Sequence, residues 1–432
     1  MTSGRLGVKS WEMAAFPLCS LPNGVILSVF DQGIVSLSNF LTTVIAARTL
    51  APDQFGIFSL FYATLLILSG IQNALITGPI RVLGVQKTGG ETTSYFHAQI
   101  YLQLILGIVI SLISVTVLIA SASAKSSTGI SFSLCVFFVQ LQELARVILA
   151  TKLSLVSLLL LDVLTHSARI ILVMMLAMGD ELTTSSLFLA IGIPCAITAS
   201  IFLRLHRMEG MQLKVLLMRA LENWIFGRWS LVETFAYMVS SQFYFYITAL
   251  MVSIESVGAL NAVLSVLNLV NVLLSGVMGF AIPIARQRLL NVSFNAWKSW
   301  LKRVGIALTM CVLVLWIVIT VLARPLISFT FSDFYAEYAY LIQIIGFSYV
   351  FRSVNTVLIA AYRTAELPQV GSSAQLASAT LSLLIAYPLI KTFGVGGAAL
   401  GFVVTQIAWT LVYMYYLRIG SLSENSVMQR VI

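Results

Sequence analysis

Residues 29–60 read VFDQGIVSLSNFLTTVIAARTLAPDQFGIFSL, and residues 227–242 read GRWSLVETFAYMVSSQ. Each stretch sets an acid near its start among apolar residues, Asp31 and Glu233, and follows it with small polar residues at helical spacing. Asp31 precedes Gly56 by 25 residues, and Glu233 precedes Gly258 by 25, so the two share an offset of 202. At that offset Ser38, Asn39 and Thr42 fall on Ser240, Ser241 and Tyr244. Further along, Gly78-Pro79-Ile80-Arg81 matches Ile282-Pro283-Ile284-Ala285-Arg286, and Arg146 matches Arg352 at an offset of 206. Three matches in one order indicate a chain built from two repeated halves.

The surrounding sequence is apolar throughout. Of 432 residues, 59% are hydrophobic and 9% charged, against about 25% charged in a soluble domain. With a mean hydropathy of +0.98, this excludes a soluble enzyme, a nucleic-acid-binding protein and a disordered scaffold. A bilayer span needs roughly 20 apolar residues. Such runs fall at 24–46, 55–78, 98–122, 130–150, 154–178, 184–203, 229–251, 257–283, 304–323, 339–361, 370–391 and 394–417. The expected fold is all-α: a polytopic membrane protein of about twelve transmembrane helices in two pseudo-symmetric six-helix bundles. Six spans per half, an even number, make the halves parallel, related by an axis along the membrane normal with a cavity between them. The segments are 1–23 (interfacial, with Trp11 and Phe16), 24–203, a basic linker 204–228, 229–417, and a tail 418–432. No signal peptide is evident before Pro22.

The formal charge of +9 resolves into topology. With a cytoplasmic N-terminus, eighteen Lys and Arg lie inside, and four lie outside: Arg48, Lys125, Arg324 and Lys391. The remaining three are within spans. This bias makes both termini cytoplasmic. The basic stretches 204–228 and 284–303 interleave charges with Leu213, Leu216, Leu217, Trp297 and Trp300, the pattern of amphipathic helices on anionic lipid. The longest outer loop, near 324–338, leaves no room for an external catalytic domain. Gly397 and Gly401 form a GxxxG that permits close helix contact. The four scattered Cys read as small core residues.

Seven charges fall within spans: Asp31, Glu143, Arg146, Asp162, Arg169, Glu233 and Arg352. Each would cost roughly 2.5–3.5 kcal/mol facing lipid, so they should face a bundle interior or a wet cavity. Glu143 and Arg146 are i,i+3 neighbours, and Asp162, His166 and Arg169 share one helical face. Both sets fit either local charge pairs or working sites. His166 is either a satisfied core histidine or a proton carrier. Asp31 and Glu233 lack a local cation and are candidates for ion coupling or gating, together with Glu143, Asp162 and His166. Arg352 has no acid within a helical turn, and its planar fork suits an anionic substrate. Arg146 and Arg169 are further candidates for an anionic head group. Arg81 and Arg286, at cytoplasmic span ends, either anchor the topology or meet that head group first. Ser38, Asn39, Thr42, Tyr237, Ser240 and Tyr244 are candidate polar cavity residues. Tyr246 and Trp229 could stack on sugar rings or anchor at the interface. There is no P-loop, HExxH, EF-hand loop or catalytic triad. The expectation is a non-enzyme with no metal and no organic cofactor.

The acid early in the first span, the small polar residues after it, the exit Ala47-Arg48-Thr49-Leu50 and then Phe55-Gly56 resemble the polysaccharide-transporter branch of the multidrug/oligosaccharidyl-lipid/polysaccharide (MOP) exporter superfamily. Residues 257–286, VGALNAVLSVLNLVNVLLSGVMGFAIPIAR, add to the likeness. The resemblance implies a bacterial inner-membrane flippase moving undecaprenyl-diphosphate-linked oligosaccharide repeat units by alternating access, coupled to an ion gradient or the membrane potential. It implies lipid partners, and a polysaccharide polymerase and chain-length regulator as protein partners. The alternatives are a cation-coupled multidrug exporter of the same superfamily, a lipid II flippase, or a membrane glycan polymerase. The first would want cavity acids without arginines, the second usually has fourteen spans, and the third needs a large outer loop.

Overall fold

A bilayer offers the backbone no hydrogen-bond partners, so apolar runs of this length must satisfy themselves as helices. The computed structural model describes residues 21–87, 90–120, 126–206, 210–291, 293–420 and 422. The interfacial segment with Trp11 and Phe16, and the tail beyond 422, lie outside the described residues. Among the described residues there is no strand, and twelve helices have 21 residues or more. They are α1 (Leu21–Thr49), α2 (Pro52–Gln72), α3 (Gly90–Ala120), α4 (Ser126–Thr151), α5 (Leu155–Met178), α6 (Thr184–Leu205), α7 (Leu213–Met251), α8 (Ile254–Asn291), α9 (Phe294–Val321), α10 (Tyr340–Thr364), α11 (Pro368–Phe393) and α12 (Val395–Arg418). Ten of them are long and apolar enough to cross a membrane; α1 and α7, the helices with the acidic and polar stripes, are not among the ten. The protein is an all-helical, multi-pass membrane protein.

The packing repeats. In the first half α1 lies on α5, and α4 lies on α3 and α6; in the second, α7 lies on α11, and α10 lies on α9 and α12. The halves meet where α2 packs on α7 and α8, and where α1 packs on α8. Equivalent positions face each other there. A Cβ on Gly56 would stand 2.0 Å from the Ile254 carbonyl oxygen, and one on Gly258 would stand 3.3 Å from the Gly56 nitrogen. One helical turn inward, Asn261 Nδ2 donates to Ser59 Oγ at 2.9 Å, across the same offset of 202. Without a hydrophobic drive between helices in lipid, such close backbone approach and buried polar pairing hold the halves together. In the second half, Gly397 sits against the Leu389 carbonyl of α11 and Gly401 against the Tyr244 ring of α7, so the GxxxG packs α12 on two neighbours.

The Gly56–Gly258 contact lies at the end of the bundle that carries residues 323–336. The outer loop near 324–338 is not irregular: it folds into helices Ala323–Thr330 and Asp333–Ala336. Arg48 Nε donates to the Thr330 carbonyl at 3.0 Å and Nη2 donates to that of Phe329, at the end of the first of these helices. Phe40 meets Phe331, and Phe55 meets Tyr335, edge to face. At the inner end of α2, Pro79 lacks the N–H that would bond residue 75. The helix relaxes into a π turn over Asn73–Thr77, with the Gly78 N–H bonded to the Asn73 carbonyl, before continuing as Gly78–Leu83.

Two basic stretches prove to be helical. Within 204–228, α7 begins at Leu213 and runs unbroken to Met251, with Leu213, Leu217, Leu221 and Trp224 exposed along it. Its polar face docks on the protein: Arg219 and Asn223 are buried, Arg219 pairs with Glu91 (3.0 Å) and Glu222 (2.8 Å), and Asn223 exchanges hydrogen bonds with Gln99. The stretch 284–303 is likewise helical, the end of α8 and the start of α9, with Trp297 buried against Ala285, Leu289 and the end of α10. Protein thus receives Arg219, Asn223 and Trp297, while Lys214, Arg288, Lys298, Lys302 and Arg303 stay exposed.

Candidate functional site

Four of the seven charges expected within the membrane converge in the first half, toward the end away from residues 323–336. Arg146 of α4 donates through Nε to Asp162 Oδ2 (2.7 Å), through Nη1 to Glu143 Oε2 (2.9 Å) and through Nη2 to Asp31 Oδ2 (3.4 Å). Gln142 donates to the second Asp162 oxygen at 3.0 Å. The second Asp31 oxygen is buried, without a hydrogen bond to any cation, beside Asp162. Arg81 reaches Glu143 from the exposed rim at 3.4 Å and bonds Asn73 Oδ1 at 2.9 Å. Three carboxylates thus surround one buried guanidinium, and a buried surplus of one sign demands a proton, a cation or the rim arginine to balance it.

The expected Glu143–Arg146 pair forms, but one expected pairing and one expected role do not. Asp162 does not pair with Arg169: seven residues put them about 10 Å apart along the helix, and Arg146 reaches Asp162 from α4. Arg146, fully engaged by acids, does not line the central cavity and is not placed to hold an anionic head group. Asp31 finds its partner on another helix, as the lack of a local cation required. Arg169 is buried and donates to Asn39 Oδ1 at 2.7 Å, one residue behind the cavity wall. His166 is buried between the levels of Asp162 and Arg169.

The central cavity lies mainly in the second half, walled by α2, α7, α8, α10, α11 and α12, with roughly 1000 Å³ of open space. Tyr62, Tyr237, Asn268, Asn271, Gln406 and Trp409 line it, and Arg352 is the one charged residue among its described lining residues. No carboxylate pairs with Arg352 among the described residues. Its guanidinium lies 5.7 Å over the Tyr349 ring, and the Tyr237 hydroxyl is within hydrogen-bonding reach. Tyr237 and Trp409 continue into a vestibule toward the cytoplasmic end that also carries Glu233 and Arg363. A lateral cleft between α1 and α8 shares Asn261, Asn268 and Asn271 with the cavity and adds Gln32, Ser36 and Asn39.

The other nominated residues divide. Tyr237 and Ser240 line the cavity, and Ser240 accepts from Gln375 at 2.8 Å. Asn39 lines the lateral cleft. Ser38 and Thr42 do not reach a cavity: both are buried on the packed face of α1. Tyr244 is fully buried, its hydroxyl donating to Ser382 at 3.3 Å, so it is a packing residue rather than a cavity one. Arg286 is held by the Thr364 carbonyl (2.8 Å) and Glu366 (2.7 Å) and, like Arg81, lies away from the cavity. Tyr246 bonds Thr64 at 2.7 Å, and Trp229 stays exposed beside Arg228. Unforeseen were Trp409, Tyr349 and the α8 stripe Asn261, Ser265, Asn268 and Ser275. The stripe's helical spacing was legible, because so many amides in one span signal a wet face.

No known family profile and no curated protein sequence matches the chain. Solved structures do. It resembles an inward-facing conformation of a multidrug resistance MATE family transporter of the MOP superfamily (TM-score 0.77, 14% identity, 90% of this chain and 96% of that one). An outward-facing conformation of such a MATE transporter superposes less well, at 0.61 with 13% identity over 94% and 96%. The lipid II flippase MurJ in an inward closed conformation gives 0.69 with 11% identity over 95% and 91%. The chain therefore has the fold shared by these transporters and this flippase.

Proposed function

We propose that this protein is a flippase of the MOP type, moving undecaprenyl-diphosphate-linked oligosaccharide from the cytoplasmic to the outer leaflet of a bacterial inner membrane by alternating access. The observation that carries this reading is Arg352: a cation without a paired carboxylate, in a polar cavity among Tyr237, Tyr349 and Trp409. A guanidinium binds a diphosphate in bidentate fashion, while amides, hydroxyls and aromatic faces suit sugars. The cleft between α1 and α8 lets a polyprenyl tail remain in lipid while the head group enters. The Asp31–Glu143–Asp162–Arg146 cluster serves as the coupling site, its surplus charge balanced by a proton or cation taken up from the cytoplasmic side. A polymerase and a chain-length regulator would act on the product outside. The test is complementation of a flippase-null strain, with lipid-linked repeat units measured in each leaflet; repeat units retained in the inner leaflet of complemented cells would overturn it.

The multidrug reading keeps one supporting observation, Glu233 in the cytoplasmic vestibule. It predicts resistance to cationic drugs that Glu233→Gln removes and Arg352→Gln does not.

A further inference from the structure

Apart from the central cavity, the first half carries a second hollow at its cytoplasmic end. Thr93, Phe96 and His97 of α3, Lys152 just past α4, and Phe202 and His206 at the end of α6 line a space of about 590 Å³. Two of the chain's three histidines and a lysine meet here, and no acid is among the described lining residues. The cationic groups are held in place. The Lys152 ammonium lies 4.9 Å over the Phe96 ring, and the His206 ring stacks on Phe202 at 4.2 Å. His206 Nδ1 stands 3.0 Å from the Phe202 carbonyl oxygen, so it donates there and leaves Nε2 for a ligand. No ion pair involves Lys152 among the described residues.

The electrostatics point the same way. Burial pulls the Lys152 pKa down. Burial, with Lys152 nearby, also pulls His206 down, against the hydrogen bond to Phe202. An anion between Lys152 and His206 opposes both shifts, because it favours their protonated forms. The surroundings say which kind. Leu153 and Leu205, each next in sequence to a lining basic residue, are 68% and 76% exposed. An apolar rim beside a basic hollow at the helix ends matches a molecule with a charged head and acyl chains.

We propose that this hollow binds the phosphate group of an anionic phospholipid of the cytoplasmic leaflet. The site is independent of the substrate assigned to the central cavity. The test uses the full chain purified in a neutral detergent, titrated with dihexanoyl phosphatidylglycerol, dihexanoyl phosphatidylcholine and inorganic phosphate. Phosphatidylglycerol should bind at least about tenfold more tightly than phosphatidylcholine, and the double variant K152Q/H206Q should lose about tenfold or more of that affinity. Lys152→Arg, which keeps the charge, should retain it, separating loss of the site from loss of the fold. Equal binding of phosphatidylglycerol by wild type and double variant, or equal binding of the two lipids, would overturn the proposal. Inorganic phosphate binding as tightly as phosphatidylglycerol would overturn the lipid assignment.

Discussion

The outer closure rests on two glycines, and Gly56→Val tests it directly. A Cβ at residue 56 would stand 2.0 Å from the Ile254 carbonyl oxygen and 2.7 Å from Ile254 Cγ2. Carbon–oxygen contacts settle at about 3.3 Å or more, so α2 and α8 must part by about an ångström before the two γ-methyls of valine are placed. The obstacle is backbone and cannot rotate aside. Overpacking of this kind costs about 1–3 kcal/mol, which shifts a two-state equilibrium about 5- to 150-fold toward the form in which the helices are apart. Gly258→Ala is the graded control. Its nearest neighbour is the Phe55 ring at 2.9 Å, a side chain that can yield, although the Gly56 nitrogen is close behind at 3.3 Å. The assay is a distance distribution between spin labels at Asp53→Cys and Glu337→Cys, both exposed near the outer ends of opposite halves. Gly56→Val should populate a longer distance, Gly258→Ala less so, and wild type least. An unchanged distribution in a folded Gly56→Val protein would refute the claim that this approach closes the outer face.

Arg352→Gln should abolish glycolipid export while membrane abundance stays normal: losing a charge-assisted, bidentate contact is worth about 1.5–3 kcal/mol, or about 10- to 150-fold in affinity. Arg352→Lys should restore only part of it, since a point charge lacks the fork; export assays beside immunoblots decide. Arg146→Gln strands the two buried carboxylates of Asp31 and Asp162, Glu143 keeping Arg81, and should cost about 3–5 kcal/mol, read as a large fall in folded protein. Asp31→Asn, which keeps shape and removes one surplus charge, should leave abundance near normal and reduce ion-driven transport in proteoliposomes. Arg48→Ala removes two hydrogen bonds to carbonyls at an exposed site and should cost about 1 kcal/mol, seen as a small lengthening in the same spin-label distance.

What the sequence made legible was periodic or repeated. Gly56 and Gly258, equivalent in the repeat at an offset of 202, pack against each other. Apolar run lengths anticipated the long helices. What stayed hidden was which helices meet side by side. Asp162 and Arg169 share a face, yet two turns separate them, while Arg146 lies sixteen residues from Asp162 and touches it. An amphipathic stretch also reads the same whether its polar face meets lipid head groups or protein, so Arg219 and Asn223 gave no hint that α3 would bury them. The repeat itself misled at Thr42 and Tyr244, whose shared position is a packing position in both halves, not a wet one.

The division of charge between the halves gives the proposed mechanism its physical shape. The first half holds a surplus of acid, largely sealed; the second holds an arginine open to the cavity. Substrate and coupling ion therefore need not compete for one site. They must instead be linked through an element both can bias, and α1 spans the distance. Asp31, in the acid cluster, and Arg48, at the outer closure, are seventeen residues apart, about 25 Å of helix. Between them Asn39 touches Arg169 and lines the lateral cleft. Neutralising Asp31 weakens its hold on Arg146, and any tilt of α1 that follows acts at Arg48 on the carbonyls of Phe329 and Thr330. On this reading, cross-linking the Arg48 end of α1 to the short helix Ala323–Thr330 should block transport yet leave binding of a diphosphate probe to the central cavity intact. Loss of both together would place the link elsewhere than α1.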